Sequence, residues 1–292
     1  VREAAQPNET IRLLHERASV RQFDDRKIEP GVLRAVLEAG AHAPTGGLQP
    51  YSIIVIEDDE TKRKILELDG GVQKQIVGAP VDLLFCLDMH RNRRWAELEA
   101  APFTAASSFE EWWISFQDTV ICAQSIVTAA DALGLGTVYI GTVYWYFQEL
   151  REMFGMPAGV FPVVLLCMGY PRGDRPAPRK KLGIDVVVHN GRYREIPDAD
   201  LLAALAAKHG GRIEATDERV EGIAKVCRRV GGPVLERKCL DKMRENGYIS
   251  PVQFIYGLVY CADKGVEGNA RYLELLEGAG FDWFKPHALP EG

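Results

Sequence analysis

Hydrophobic spacing changes period repeatedly along the chain, and each change marks an element. Asn8 or Thr10 can cap a first helix that runs to about Arg17. An extended segment from Ser19 to Phe23 follows, closed by the turn residues Asp24 and Asp25. From Pro30, apolar Val32, Leu33, Val36 and Leu37 share one face of a second helix that ends around Gly40. The stretch APTGGLQP is too rich in Gly and Pro to continue it, and Tyr51 to Glu57 then reads as a largely buried strand. Next come a helix from Asp59 to Leu68, in which Lys62 reads as a surface position, and a strand from Val81 to Asp88.

A long helix from Glu111 to Leu133 is apolar or small around most of its circumference, with Gln117, Asp118, Gln124 and Asp131 as the main polar exceptions. Such a helix needs cover on several sides. Either it runs through the middle of a large domain, or a second subunit covers the face one chain leaves open, and the second is the favoured reading. Gly134 caps it, and a strand from Thr137 to Gly141, a short helix from Phe147 to Phe154 and a strand from Val160 to Gly169 complete the alternation. The segment GYPRGDRPAPRKKLG is a basic loop stiffened by Pro176 and Pro178. Beyond Asp198 the pattern is helical, broken at Gly210-Gly211, Gly231-Gly232-Pro233 and Ser250-Pro251. With no internal repeat, this region is a helical appendage or a set of arms that wrap a partner.

Composition narrows the class. The chain has 292 residues, 47% of them hydrophobic, enough for a sizeable core. A formal net charge of -6 argues against nucleic acid or an anionic membrane surface as the main partner. The sequence shows no signal-peptide pattern and no apolar run of bilayer length, and is read as cytoplasmic. Its six cysteines form no CxxC pair and no metal spacing, nor do its six histidines, so no metal site is expected. Cys86 and Cys167 lie in apolar strands, where a thiol is chemically quiet.

The sharpest chemical pattern is RASVR. In an extended segment, Arg17, Ser19 and Arg21 point the same way, placing two guanidinium groups beside a hydroxyl. This is either a phosphate anchor or a solvated basic strand. The basic residues around Arg179 are either a second set of cations converging on the same phosphate or a solubilising loop. GLGTVYIG lies between a helix and a strand, the reverse of the dinucleotide-binding order, and no GxxxxGK[ST], HExxH or GxSxG occurs. HRNRRW, from His90 to Trp95, reads as a solvent-facing loop or part of a mouth for a charged cosubstrate. Trp95, Phe103 and Phe109 could stack a planar substrate or belong to the core, whereas Trp112 and Trp113 are expected in the core.

Five motifs in order, RxSxR, APTGGLQPY, GGVQKQIVGAPVDLLFC, LGLGTVYIG and VFPVVLLCMGYP, resemble the FMN-dependent nitroreductase family. The GGVQ segment and helical C-terminal part are most similar to its NADPH-preferring, oxygen-insensitive nitroreductase and flavin reductase branch. The resemblance spans roughly Ile11 to Ser250. It implies an α+β fold, with a central, mostly antiparallel sheet flanked by helices and a long buried helix at the core of a homodimer. It further implies an FMN-binding core over residues 1–195 and a helical extension over 196–292 that wraps the dimer. Carried over by motif, Arg17 and Ser19 would bind the FMN phosphate, and Arg21 would face the ribityl chain and the N1/O2 edge. Gln73 would bond the pyrimidine edge, backbone at Thr45 and Gly46 would meet one edge of the ring, and Ile140, Gly141 and Thr142 would approach N5. Arg179 and Lys181 would close on the phosphate.

The implied activity is transfer of hydride from NAD(P)H through flavin N5 to nitroaromatics, quinones or flavins, a ping-pong cycle needing no side chain as catalytic acid or base. Two features depart from the family: Thr45-Gly46-Gly47 lacks the usual Asn, and KHGGRIEATDE, where a nicotinamide dinucleotide's 2'-phosphate would be read, is weakly basic. The tail from Pro251 to Gly292 reads as having no counterpart in the family, and with the altered loop it keeps two alternatives open: a reductive dehalogenase or dehydrogenase on the same scaffold, and a flavin-binding module without turnover whose helical tail covers the site or docks a protein partner.

Overall fold

The computed structural model describes residues 8–289. The chain divides into two units, one comprising the residues up to Pro178 and those from Glu274 onward, the other Arg179–Leu273. In the first unit β1 (Tyr51–Ile56), β2 (Val81–Asp88), β3 (Gly136–Ile140) and β4 (Val160–Gly169) form one sheet in the order β1-β2-β4-β3. Every pairing in it is antiparallel, as the α+β reading requires. Around it lie α1 (Glu9–Glu16), α2 (Pro30–Ala41), α3 (Asp59–Leu68), α4 (Gln75–Gly78), α5 (Met89–Leu98), α6 (Phe109–Ala132) and α7 (Phe147–Met153).

The sheet is apolar on both faces, which is why its strands read as apolar runs. Val81, Leu83 and Phe85 of β2 and Leu166 and Met168 of β4 pack with Val36 of α2 and with Cys122, Ile126 and Val127 of α6. The alternate residues Leu84, Cys86, Leu165 and Cys167 join Ile65, Ile76 and Leu150 on the opposite face. Three layers result, and β2 is buried throughout. Pro162 lies opposite Cys86, where the β2–β4 register shifts, one of the few sheet positions that tolerate its missing donor. Burial pushes the Cys86 thiol up to about 12 and raises that of Cys167 well above its ordinary range, so both are inert.

Ser108 caps α6 by accepting a hydrogen bond from the Glu111 amide at 3.3 Å. Its buried stripe, Ser115, Asp118, Thr119, Cys122, Ala123, Ile126, Val127, Ala130 and Asp131, recurs at three- and four-residue steps. The opposite stripe exposes Trp113, Gln117, Ile121 and Gln124.

Three expectations change. His90 to Trp95 is not a loop but the body of α5, which Asp88 caps through the Arg91 amide. Trp113 is 48% exposed rather than in the core, because it begins the stripe of α6 that the sheet does not reach. Lys62, expected on the surface, is 1% exposed, and its ammonium donates to the carbonyls of Ala79 and Pro80, each at 2.7 Å. Helical spacing carries it inward with Ile65, and its long stem spans the apolar layer to those acceptors.

In the second unit, α8 (Ile184–Val187), α9 (Asp198–His209), α10 (Asp217–Asn246), α11 (Pro251–Phe254) and α12 (Ala262–Glu267) precede α13 (Asn269–Gly278), whose residues from Glu274 belong to the first unit. Ile223, Met243 and Ile249 form its core with Phe254 and Leu258, and α10 kinks at Gly231 and Gly232. After α13 the tail docks on the first unit. The Gly159 amide donates to the Ala279 carbonyl at 2.8 Å, Ser107 Oγ to Asp282 at 2.6 Å, and Phe281 is fully buried.

Candidate functional site

Arg17 ends α1 with ψ 125, and the chain leaves it extended. The Val20 amide donates to the Thr137 carbonyl of β3 at 2.9 Å, and Ser19 forms an isolated parallel bridge to Thr137. Farther along, the Asp24 amide donates to Tyr170 at 2.8 Å and the Arg172 amide to Gln22 at 3.0 Å. The segment is thus stitched between the start of β3 and the exit of β4. Ala18, Val20 and Phe23 are buried, whereas Arg17 and Ser19 are partly exposed and Arg21 fully so. A Cβ on Gly136 would lie 2.5 Å from Val20 Cγ2 and 2.7 Å from its Cβ, so glycine there is the condition for this close approach.

Among the described residues, the side chains of Arg17, Ser19 and Arg21 make no hydrogen bond or ion pair, and Arg17 Nε is buried without a partner. A buried guanidinium nitrogen left bare is costly unless something else completes it. Ser19 and Arg21 line a cleft of about 250 Å³ with Gln22, Pro171, Arg172 and Asp174. Arg172 belongs to the basic loop but was not singled out within it, because nothing in the sequence shows that the Gln22 carbonyl pins its backbone here. Arg175, from the same loop, is occupied elsewhere: it pairs with Asp131 at 2.7 Å and donates to the Leu135 carbonyl at 2.6 Å. Burial raises the Asp131 pKa, and Arg175 and then Arg17 oppose that rise. Arg179 and Lys181 open the second unit and are exposed there.

The loop after α2 is fixed from two sides. The Gly46 amide donates to Asp118 of α6 at 2.9 Å, and a Cβ at Gly46 would meet Ile114 Cγ2 at 2.8 Å. Gly46 is therefore explained by packing against α6, and its amide is already committed; Thr45 is partly exposed. On the exit side, Arg91 of α5 donates to the carbonyls of Gln49 and Tyr51 and to Ser52 Oγ, the last two at 2.8 and 3.1 Å. The basic run of α5 thus supplies a clamp for this loop, a role its charge alone did not reveal.

Gln73 and Thr142, more than sixty positions apart, meet at Asp69. One carboxylate oxygen of Asp69 accepts from the Gln73 backbone N–H at 3.0 Å, and the other accepts from the Thr142 hydroxyl at 2.7 Å and the Tyr146 hydroxyl at 3.4 Å. The turn between them uses Gly70 and Gly71, both left-handed, at φ 73 and 75. Gln75 Nε2 donates to Gln73 Oε1 at 2.6 Å, which leaves the Gln73 amide nitrogen free to donate. Burial and then the Asp69 charge raise the pKa of Tyr146, keeping its hydroxyl protonated as a donor. Ile140 ends β3 buried, and Gly141 beyond it faces open space. Asp69 was missed because a lone Asp at a helix end reads as a capping residue.

At the start of α6, Phe109 and Trp113 stack with centroids 6.1 Å apart and remain half exposed, and Trp283 of the tail tilts against Phe109 at 5.2 Å. Among the described residues no group of His, Cys, Asp and Glu could hold a metal ion, and no helix is long and apolar enough to cross a membrane.

A family model described as the nitroreductase family matches residues 14–170. The chain is 36% identical over 188 residues to an FMN reductase [NAD(P)H] of Bacillus subtilis, covering 64% of this chain and 75% of that protein. It is 32% identical over 195 residues to an oxygen-insensitive NADPH nitroreductase of Salmonella typhimurium, covering 66% and 78%. Among solved structures, NfrA2 of B. megaterium superposes with a TM-score of 0.71 at 28% identity, covering 95% of this chain and all of that one.

Proposed function

From the premise that the chain belongs to the nitroreductase family, we propose that it is an FMN-dependent NAD(P)H oxidoreductase that reduces nitroaromatics, quinones or free flavins by a ping-pong cycle. The observation that carries this reading is the set Arg17, Ser19 and Arg21, whose side chains have no protein partner among the described residues, on a segment stitched to β3 through Ser19 and Val20. Two cations and a hydroxyl with no protein partner suit a phosphate monoester, whose charge-assisted contacts contribute about 1.5–3 kcal/mol each. Arg17 and Ser19 would hold the phosphate. Arg21 would lie along the ribityl chain.

β3 carries the second half of the site. Thr137 of β3, where the phosphate segment is anchored, lies four residues before Gly141, which directly follows the strand, a span of about 13 Å. That span accommodates an extended ribityl chain leading to the ring. Gln73, with its amide nitrogen free, would donate to the pyrimidine edge, and backbone at Ile140 to Thr142 would lie beside N5. Backbone at Thr45 and Gly46 would border another ring edge. When bound, FMN supplies the two-electron chemistry, accepting hydride from a nicotinamide and passing electrons to an acceptor. Arg21, exposed and without a protein partner for its side chain, would bring a cation to the N1/O2 edge, which would favour the electron-rich oxidation state. The half-exposed rings of Phe109 and Trp113 offer a face for a planar acceptor. The uncovered stripe of α6 fits a second copy of the chain, and the helical region after residue 195 would wrap that dimer.

The test is direct. The purified protein should show a bound-flavin spectrum that NADPH or NADH bleaches anaerobically and a nitroaromatic or quinone restores. Bound FMN that neither nucleotide reduces would refute turnover, and a chain with no FMN affinity would refute the cofactor.

A further inference from the structure

Within this reading of the flavin site, we infer that Asp69 is its positioning residue, tying the turn that presents Gln73 to the turn that presents Gly141 and Thr142. The first is an irregular turn, and the second is a short 3-10 helix from Gly141 to Tyr146. Gly70 and Gly71 leave the first without side-chain packing of its own, and Gly141 leaves the second open on its outer side. A turn of this kind has many conformations close in energy, and a ligand that binds only one of them loses affinity in proportion to its rarity. The Asp69 carboxylate selects one by accepting from the Gln73 amide on one oxygen and from Thr142 and Tyr146 on the other.

The bonds also set what each group can offer a ligand. With its hydroxyl proton directed to Asp69, Thr142 Oγ1 presents only acceptor capacity elsewhere. With its backbone amide held, Gln73 projects its side chain from a fixed point. Tyr146 is buried and anchored in the core layer beneath the sheet, so the network hangs from rigid structure at that end. Asp69 itself touches neither cofactor nor substrate in this role; it acts through the two segments.

Asp69→Asn separates positioning from bulk. The amide has the same shape and can still accept from Thr142, but its NH2 faces the Gln73 amide as donor against donor. The expected result is an FMN dissociation constant about tenfold weaker, about 1.4 kcal/mol, measured by flavin fluorescence quenching on the apoprotein. The midpoint potential of bound FMN should become less negative, because a negative charge beside the site is gone. Thr142→Val, which keeps the carboxylate, should weaken FMN by a smaller factor. Once Asp69 is Asn, adding Thr142→Val should cost less than it does in the wild-type background, since both act through one network. Asp58→Asn, the same substitution at the exposed cap of α3, serves as control and should leave FMN affinity unchanged.

Equal FMN affinity in wild type and Asp69→Asn would overturn the inference. So would an equal loss in Asp58→Asn, which would mark general loosening, or full additivity of the double variant. If Asp69→Asn does not fold, Thr142→Val decides alone, and wild-type affinity there would overturn the inference. Failure of the wild-type chain to bind FMN would instead overturn the proposed function, so the two failures are distinct.

Discussion

Asp82 lies in the central strand β2, fully buried, and among the described residues its carboxylate has no hydrogen-bond partner beyond the Cys167 thiol. Its side chain points into the layer that contains Cys167, directly opposite on β4, and the Lys62 ammonium lies beyond contact distance. Burial is the dominant influence and pushes its pKa up to about 8, opposed by Cys167 and then by Lys62. In an unfolded chain the same group titrates near about 3.9. The folded value is the higher one, so the native state binds the extra proton. Stability is therefore fully present below about pH 4 and falls as pH rises toward about 8.

At about 1.36 kcal/mol per pH unit the full excursion is about 5–6 kcal/mol, an upper bound because water entry and local relaxation soften it. Asp82→Asn keeps the shape and removes the titration. The variant should match wild type within about 1 kcal/mol at pH 4 and gain about 2–5 kcal/mol on it by pH 8. Urea unfolding of both proteins at half-unit steps between these limits measures the difference, in which other titrating groups cancel. A difference that stays constant within about 0.5 kcal/mol across the range would refute the reasoning.

Lys62→Met leaves the carbonyls of Ala79 and Pro80 bare at the entry to β2 and should cost about 2–4 kcal/mol in urea unfolding, against less than about 0.5 kcal/mol for the exposed Lys64→Met; equal effects would contradict the buried role. Gly136→Ala drives a methyl into Val20 and should push the Arg17–Arg21 segment off β3, weakening FMN at least about tenfold by isothermal titration; unchanged affinity would show that the segment's seat on β3 does not govern binding. Arg21→Ala should slow anaerobic flavin reduction by NAD(P)H about 10- to 100-fold, the loss of one charge-assisted contact, while Lys64→Ala leaves the rate unchanged; similar rates would remove Arg21 from the charge role.

The strands and α6 were legible because their burial is encoded locally: continuous apolar runs for a sheet covered on both faces, and a nearly all-apolar circumference for α6. The N-terminal segment was legible as well, since alternation fixes which side chains share a face. What escaped depends on tertiary partners. Lys62 reads as surface because charge sets the default, and only the carbonyls of Ala79 and Pro80 make its burial tolerable. α5 reads as a loop because its basic run hides a helix whose Arg91 finds its acceptors at Gln49, Tyr51 and Ser52. Asp69 is a residue of no distinctive spacing whose importance appears only when Thr142 arrives beside Gln73. The resemblance to a known family supplied candidate binding residues, such as Gln73 and Thr142, that periodicity could not.

The stitching of Val20 to Thr137 and of Arg172 to Gln22 also constrains when the site can exist. Each bond joins stretches separated by more than a hundred residues, so the closure entropy of a very long loop must be met before either forms. Contacts of such high order form late, after the local helices and the β1–β2 pairing. During synthesis the RASVR segment emerges before β3 and the end of β4, and must wait for both before its cradle takes shape. Capture of FMN would then report that the core has finished folding, and a stalled or truncated chain ending before residue 137 would leave the ribosome with its RASVR segment exposed and no sheet to hold it.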